Sequence, residues 1–249
     1  MPYLHNTLYS KSENLNNMSR RKSELIKRAY DLILSIAALF FLSPLLLAVM
    51  TLLRFSGERD IFYVQDRVGL KCSLFRMYKF STMLKDSHLM PGGWVTTAND
   101  PRTTSIGRFL RRTKLNEIPQ LVNIVRGDMS IVGPRPALQT SFVDYPENIK
   151  KTIYTIKPGL TSLASIVLRD EEALISRITA ENRDPVKYYN TVIYPFKGAL
   201  EDWYRENRSL WVDAKLIMLT CVVIFVPNTP LVKRAFPNAP IEMKSTRAT

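Results

Sequence analysis

The chain has little of the chemistry on which most triad hydrolases and zinc enzymes depend. It holds two histidines, His5 and His88, and two cysteines, Cys72 and Cys221. That supply excludes a Cys/His zinc site and a disulfide scaffold, and it argues against a histidine-based triad. Two distant cysteines fit a reducing compartment or a cytosolic membrane face. Acidic residues are also short, 22 against 35 basic ones, for a formal charge of +13. Such a surface expects an anionic partner: nucleic acid, acidic lipid headgroups or a phosphorylated substrate. Apolar residues at 46% and charged residues at 23% exclude wholesale disorder. Chemistry here must run on carboxylates, amides, lysines and arginines.

Charge is missing altogether from Leu32 to Leu53, LILSIAALFFLSPLLLAVMTLL. Roughly 20 apolar residues suffice to span a bilayer, so this is a membrane segment. Residues 1–28 form a polar tail without an apolar h-region, which excludes a signal peptide. Ser43-Pro44 lies at mid-segment, where proline removes a backbone hydrogen bond and clashes with the preceding turn. Both flanks are basic, with Arg20, Arg21, Lys22, Lys27 and Arg28 before and Arg54 and Arg59 after. Basic flanks mark the cytoplasmic side. The expectation is a re-entrant helix-break-helix over residues 29–56, favoured over a kinked span.

Asp60–Gln65 and Leu74–Met83 are aromatic, β-prone runs separated by Val68-Gly69-Leu70-Lys71, the pattern of a hairpin. Pro91-Gly92-Gly93 and Asn99-Asp100-Pro101 bound a loop. Helices are expected over Ser105–Arg112, over Pro119–Arg126 with Gly127 closing it, over 169–182, and from Tyr188 onward. Leu216–Val226 is half the length of a crossing and reads as a core or interfacial helix. The fold class is mainly α with a small β-hairpin (α+β). A folded domain is expected over 57–230, with 231–249 a loose tail.

The densest signal lies between Arg102 and Lys114, with five basic residues and no acidic one. Asn116-Glu117-Ile118-Pro119 follows, and proline in a first turn marks a helix N-terminus near Glu117 or Ile118. Free backbone N–H groups there would suit a phosphate. Gly133-Pro134-Arg135-Pro136 is a stiff arm carrying one guanidinium, suited to meeting an oxyanion in one geometry. No helix-turn-helix, RNA-recognition or zinc signature accompanies the charge, so no nucleic acid is expected.

SPLLL after a basic start, DRVG, FRMYKFSTM, LNEIPQL, RGDMSIVGPRP, KPGLTSLAS and RSLWVDAKLIMLT come in one order. From about Lys27 to Thr220 the chain resembles the bacterial sugar transferases, monotopic phosphoglycosyl transferases that begin membrane glycan assembly. The resemblance implies transfer of a sugar 1-phosphate from a UDP-sugar to polyprenyl (undecaprenyl) phosphate, with Mg²⁺. The setting would be the cytoplasmic face of a bacterial inner membrane, for exopolysaccharide, capsule, O-antigen or glycoprotein glycan assembly. Downstream glycosyltransferases are the protein partners that role implies.

Carried over by position, the catalytic dyad falls on Asn116 and Glu117, with Glu117 a metal ligand. Lys79, Arg111, Asp128 and Arg135 fall on phosphate-binding positions, and Ser43 and Pro44 on the membrane break. The family pattern has aspartate, the attacking nucleophile, where this chain has Asn116, and a neutral amide is a poor nucleophile. Ser162 and Ser165 depart from the more frequent Thr-Gly and Gln pattern of KPGLTSLAS. Three accounts follow: attack by Glu117, direct attack by the lipid phosphate, or a catalytically silent membrane scaffold.

Overall fold

Helix α1 of the computed structural model runs from Pro2 to Phe55 without interruption. The structure describes residues 2–56, 58–90, 97, 100–143, 145–226 and 229–243. The break expected at Ser43-Pro44 is therefore not a break in helical structure. Pro44 cannot serve the Phe40 carbonyl one turn earlier, and the Ser43 hydroxyl donates to that carbonyl instead at 2.7 Å. The polar segment before residue 29 is continuous with the same helix.

One face of the apolar stretch lies on the rest of the protein. Asp31, Ser35, Val49 and Leu53 are buried, and Ala38 and Leu39 pack on the main core. With the half-buried Leu42 and Leu46, these positions recur every three or four residues, the spacing of one helix face. The opposite face leaves Ile33, Phe40, Phe41, Leu47 and Phe55 exposed. Among the described residues, α1 is the one helix long and apolar enough to cross a membrane.

Strands β1 (Phe62–Val68) and β2 (Leu74–Phe80) pair antiparallel, Phe62 opposite Phe80 and Val68 opposite Leu74. The expected hairpin forms, with β1 starting two residues later and β2 ending three earlier than read. Helix α2 spans Ser105–Arg112, the expected bounds, because the Thr104 side chain caps the Gly107 N–H at 2.9 Å. Helix α3 (Gln120–Arg126) starts after Pro119 and stops at Gly127, whose φ of 98° suits glycine. The breakers Pro91-Gly92-Gly93 and Asn99 lie outside the described residues.

Strand β3 (Ser130–Val132) pairs parallel with β4 (Gly159–Thr161). The approach is so close that a Cβ on Gly133 would sit 2.4 Å from the Lys157 carbonyl oxygen. One on Gly159 would sit 2.1 Å from the Gly133 nitrogen. Between β3 and β4 come α4 (Gln139–Phe142) and α5 (Glu147–Ile153). After β4 come α6 (Leu163–Val167), α7 (Glu171–Ala180), α8 (Pro185–Tyr188) and α9 (Tyr194–Asn207). The last helices are α10 (Leu210–Phe225) and α11 (Leu231–Ala235).

The main core gathers Leu121, Ile124, Met129, Leu163, Leu200 and Leu216 from five different elements or turns. Helix α10 buries Leu216, Leu219 and Val223 and leaves Met218 and Phe225 exposed, so it is a core helix with an apolar outer face. The segment read as a loose tail is corrected over 231–243. It contains α11, and Val232 and Phe236 are buried because that turn covers the open end of the core. Residues 244–249 lie outside the described residues.

Candidate active site

A short 3₁₀ turn, Leu115–Glu117, carries Asn116 and Glu117. It is entered through Lys114, which is left-handed at φ 60°, so the chain reverses sharply after α2. Pro119 then begins the path into α3. The free N–H groups expected beside the dyad are partly consumed. Glu117 N donates to the Lys114 carbonyl at 3.1 Å, and Ile118 N to that of Leu115 at 3.2 Å. Side-chain cations, not a helix end, supply the positive field here.

The Glu117 carboxylate is buried and gripped by both arms of the Arg135 guanidinium. Nη1 lies 3.2 Å from Oε2, and Nη2 donates to Oε1. Lys79 Nζ is 3.6 Å from Oε1. Burial would raise the Glu117 pKa, but the charges of Arg135, Lys79 and Lys114 overcome it and hold the carboxyl well below its ordinary range. The Glu117 charge raises Arg135 above its ordinary value. Burial brings the Lys79 ammonium down to about 7, against the upward pull of Glu117. One carboxylate among several cations leaves positive charge to spare, the condition for holding a pyrophosphate.

Arg135 is held from several sides. Its carbonyl accepts from the Tyr154 hydroxyl at 2.9 Å, and that hydroxyl accepts from Ala137 N at 2.7 Å. Arg67 Nη1 donates to the Pro136 carbonyl at 3.1 Å, and Arg135 N donates to Glu201 Oε1 at 3.4 Å. The proline-flanked arm is thus fixed in its backbone as well as its side chain. The tight β3–β4 pairing brings the segment after Thr161 beside it, and Arg135 Nη1 reaches Ser165 Oγ at 3.5 Å.

Asn116 is buried next to Glu117, and its Oδ1 has no hydrogen-bond partner. A buried acceptor left open is uncommon and suits a ligand atom. Arg111 stands apart from Glu117 and pairs with Glu172 of α7. Asp128 lies in the turn between α3 and β3, where it accepts from Asn123 Nδ2 at 3.1 Å. Asn123 in turn bonds the Tyr78 N–H and the Arg76 carbonyl of β2, so Asp128 supports the joint between α3 and the hairpin.

The structure therefore gathers Asn116, Glu117, Lys79 and Arg135, sets Arg111 at Glu172, and gives Asp128 a bracing contact. Arg67 and Lys114 belong to the cluster without having been singled out, although DRVG and the basic run contain them. Glu201 was missed because nothing local marks a glutamate in an amphipathic helix as buried. Its Oε2 has no partner, and burial raises its pKa to about 7.

The buried Asn116-Glu117 pair, one carboxylate set among Arg135, Lys79 and Lys114, has the charge of a site suited to phosphate esters. The family described as bacterial sugar transferase matches residues 22–227, and the chain belongs to it. It is 32% identical over 223 residues to the undecaprenyl-phosphate galactose phosphotransferase of Salmonella typhimurium. That match covers 84% of this chain and 42% of the relative, so the chain spans less than half of that protein. It is 38% identical over 208 residues to the exopolysaccharide production protein ExoY of Sinorhizobium fredii, covering 78% and 83% of the two. A third relative is the UDP-glucose:undecaprenyl-phosphate glucose-1-phosphate transferase of Escherichia coli, at 29% identity over 90% of this chain and 47% of the relative.

Proposed function

We propose that the chain transfers a sugar 1-phosphate from a UDP-sugar to undecaprenyl phosphate, starting an exopolysaccharide or related surface glycan. The observation that carries this reading is the Glu117 carboxylate held between Arg135 and Lys79 beside the open Asn116 amide oxygen. Arg135 can exchange its carboxylate partner for phosphoryl oxygens, because a guanidinium fork matches either. Lys79 then faces the same oxygens as a point charge, and charge moving to the departing nucleotide is stabilised where it develops.

The donor set suits Mg²⁺. Among the described residues no group of three acidic, histidine or cysteine side chains gathers, yet Mg²⁺ usually takes one or two protein oxygens plus substrate phosphates and water. Glu117 and the unpartnered Oδ1 of Asn116 would hold it. When bound, it supplies neutralisation of the pyrophosphate.

The acceptor is a lipid, and α1 accounts for how its headgroup reaches the site. Arg28, at the start of the apolar stretch, donates to the carbonyls of Ile124 and Val125 at 2.5 and 2.9 Å. At the other end Val49 and Leu53 pack with Phe80 and Leu110. Both ends rest on one body, which supports a helix that dips into one leaflet, bends at Ser43-Pro44 and leaves the catalytic domain on the cytoplasmic face.

Purified protein in nanodiscs, with undecaprenyl phosphate, Mg²⁺ and a panel of labelled UDP-sugars, tests the reading. Lipid-extractable label with equimolar UMP release is expected for at least one donor. Absence of lipid-borne label across the panel would overturn the proposal and leave the silent scaffold.

A further inference from the structure

The departures from the family pattern meet in space. Asn116 stands where the resemblance implies an attacking aspartate, and Ser162 and Ser165, about fifty residues on, stand where it implies other side chains in KPGLTSLAS. Ser165 Oγ lies 3.5 Å from Arg135 Nη1, the same nitrogen that reaches Glu117. Ser162 Oγ donates to Ser165 Oγ at 2.9 Å and accepts from Ser165 N at 3.0 Å, which fixes the pair. Ser162 is buried, whereas Ser165 is half-buried and open to the cationic cluster. Beyond Ser162 lies Glu201, a buried carboxyl whose Oε1 accepts from Arg135 N at 3.4 Å and whose Oε2 has no hydrogen-bond partner; the Ser162 hydroxyl beside it lowers its pKa against the effect of burial.

We propose that Ser165 is the phosphosugar-accepting nucleophile of this chain, with Ser162 and Glu201 as the path that takes its proton. The proposal rests on the transferase reading above. A hydroxyl rotates its single hydrogen to suit its neighbours, so the Ser162 hydroxyl, which donates to Ser165, can turn toward Glu201 and accept the Ser165 proton. A serine is weak until a base takes its proton, and a base is most effective when its pKa lies near the working pH. Burial, which raises Glu201 to about 7, supports that role. The alternatives on the dyad are poorer. Asn116 is a neutral amide, and Glu117, as a ligand of Mg²⁺, would have the electron density that attack needs drawn toward the metal.

In the first step Ser165 Oγ bonds to the sugar-bearing phosphorus of the donor. The bond from that phosphorus to the bridging oxygen breaks, and UMP leaves with the electron pair. The Ser165 proton passes to Ser162 as the Ser162 proton passes to Glu201. In the second step an oxygen of the lipid phosphate bonds to the same phosphorus. The bond to Oγ breaks, the protons return along the path, and a lipid diphosphate sugar departs.

The test uses the protein in nanodiscs without lipid acceptor. Each UDP-sugar is supplied with labelled UMP, since exchange of UMP into the donor requires a covalent phosphosugar, and peptides are mapped by mass. Expected are exchange in the wild type, a hexose-phosphate adduct on the Ser165 peptide, and loss of exchange by about 100-fold or more in Ser165→Ala. Ser162→Ala and Glu201→Gln, which keep Ser165, should slow exchange by roughly 10²-fold while a single cooperative thermal melt reports folding. Lipid product made with acceptor present, but no exchange, or Ser165→Ala retaining wild-type turnover, would overturn Ser165 and leave the transferase reading intact. An adduct on Glu117 would do the same. Failure of the wild type to make lipid product with any donor would overturn both.

Discussion

Arg135 is the side chain on which the cluster turns, because its two arms hold Glu117 and its backbone is fixed by Tyr154, Arg67 and Glu201. Lysine at this position keeps the charge and loses the fork. Arg135→Lys should lower turnover by about 10²–10³-fold, the usual cost of one oxyanion donor, with the melting temperature little changed. Steady-state rates of lipid product check this, and wild-type rates would sink the role. Glu201 gives a pH prediction. The groups facing it are Ser162, Arg135, Lys197, Tyr154 and Tyr145. Its folded pKa, about 7, lies above the ordinary carboxylate value. Between that ordinary value and about 7 the folded state binds more protons than the unfolded state. Stability from this group is thus fully present at acid pH and lost as pH rises through about 7. Glu201→Gln should remove that loss, making the variant relatively more stable at pH 8 than at pH 5 in thermal melts. Asn116, Glu117 and Arg135, which the structure brings together with Lys79, stood out in local sequence patterns, whereas Lys79 was singled out by the resemblance alone. Ser165 stood out only as a departure from the resemblance, and Glu201 not at all. Their meaning comes from the approach of β4 to β3 and of α9 to the Arg135 arm, contacts across dozens of residues that no local pattern announces.

Elements were legible where a local stop or start fixed them. Thr104 caps α2, Gly127 ends α3, and the alternating aromatic runs form the β1–β2 hairpin. The β3–β4 pair was not, since three-residue strands carry no periodicity, yet it sets the site by laying Gly159 against Gly133. A methyl group on Gly159 would fall 2.1 Å from the Gly133 nitrogen, a contact with backbone that cannot rotate away. Gly159→Ala should therefore part the strands, lower the melting temperature and abolish lipid product together. A variant with normal melting and normal turnover would contradict the pairing. Arg28 makes a second element-scale prediction. It closes two carbonyls at the C-terminal end of α3, where a cation also suits the helix dipole. Hydrogen bonds to charged groups contribute ~1.5–3 kcal/mol each. Arg28→Gln should lower the melting temperature by several degrees, at about 2–4 °C per kcal/mol for a domain of this size.

For the whole molecule, the decisive matter is how α1 meets the bilayer. From Asp31 to Leu53 a straight helix rises about 33 Å, close to the ~30 Å of bilayer hydrocarbon. If it crossed upright, its two ends would lie at opposite faces. Yet Asp31 accepts from Ile131 N at 3.2 Å, and Leu53 packs with Phe80 and Leu110. One folded body cannot touch both ends of a crossing helix unless that body enters the hydrocarbon. This body carries Arg126, Lys150 and other charges that lipid would not accept. The outward face, with Phe40 and Phe41 more than 70% exposed, instead suits shallow insertion beside the domain. Proline is the usual cause of a sharp helix bend, so Pro44 can tip the mid-segment toward the lipid while the ends stay docked. Single cysteines placed near residues 20 and 60, in a background with Cys72 and Cys221 replaced, test this in intact cells with a membrane-impermeant thiol reagent. Both sites should stay unlabelled until the cells are opened, and then react together. Labelling of one site alone in intact cells would establish a span and require the contacts of Leu53 or of Asp31 to be broken in the membrane. Pro44→Ala sharpens the result. It restores the amide that serves the Phe40 carbonyl and stiffens the helix. Membrane association should persist while lipid product falls, because a straighter segment holds the domain at the wrong height for the lipid phosphate. Unchanged product in Pro44→Ala would mean that docking of the helix ends alone sets that height.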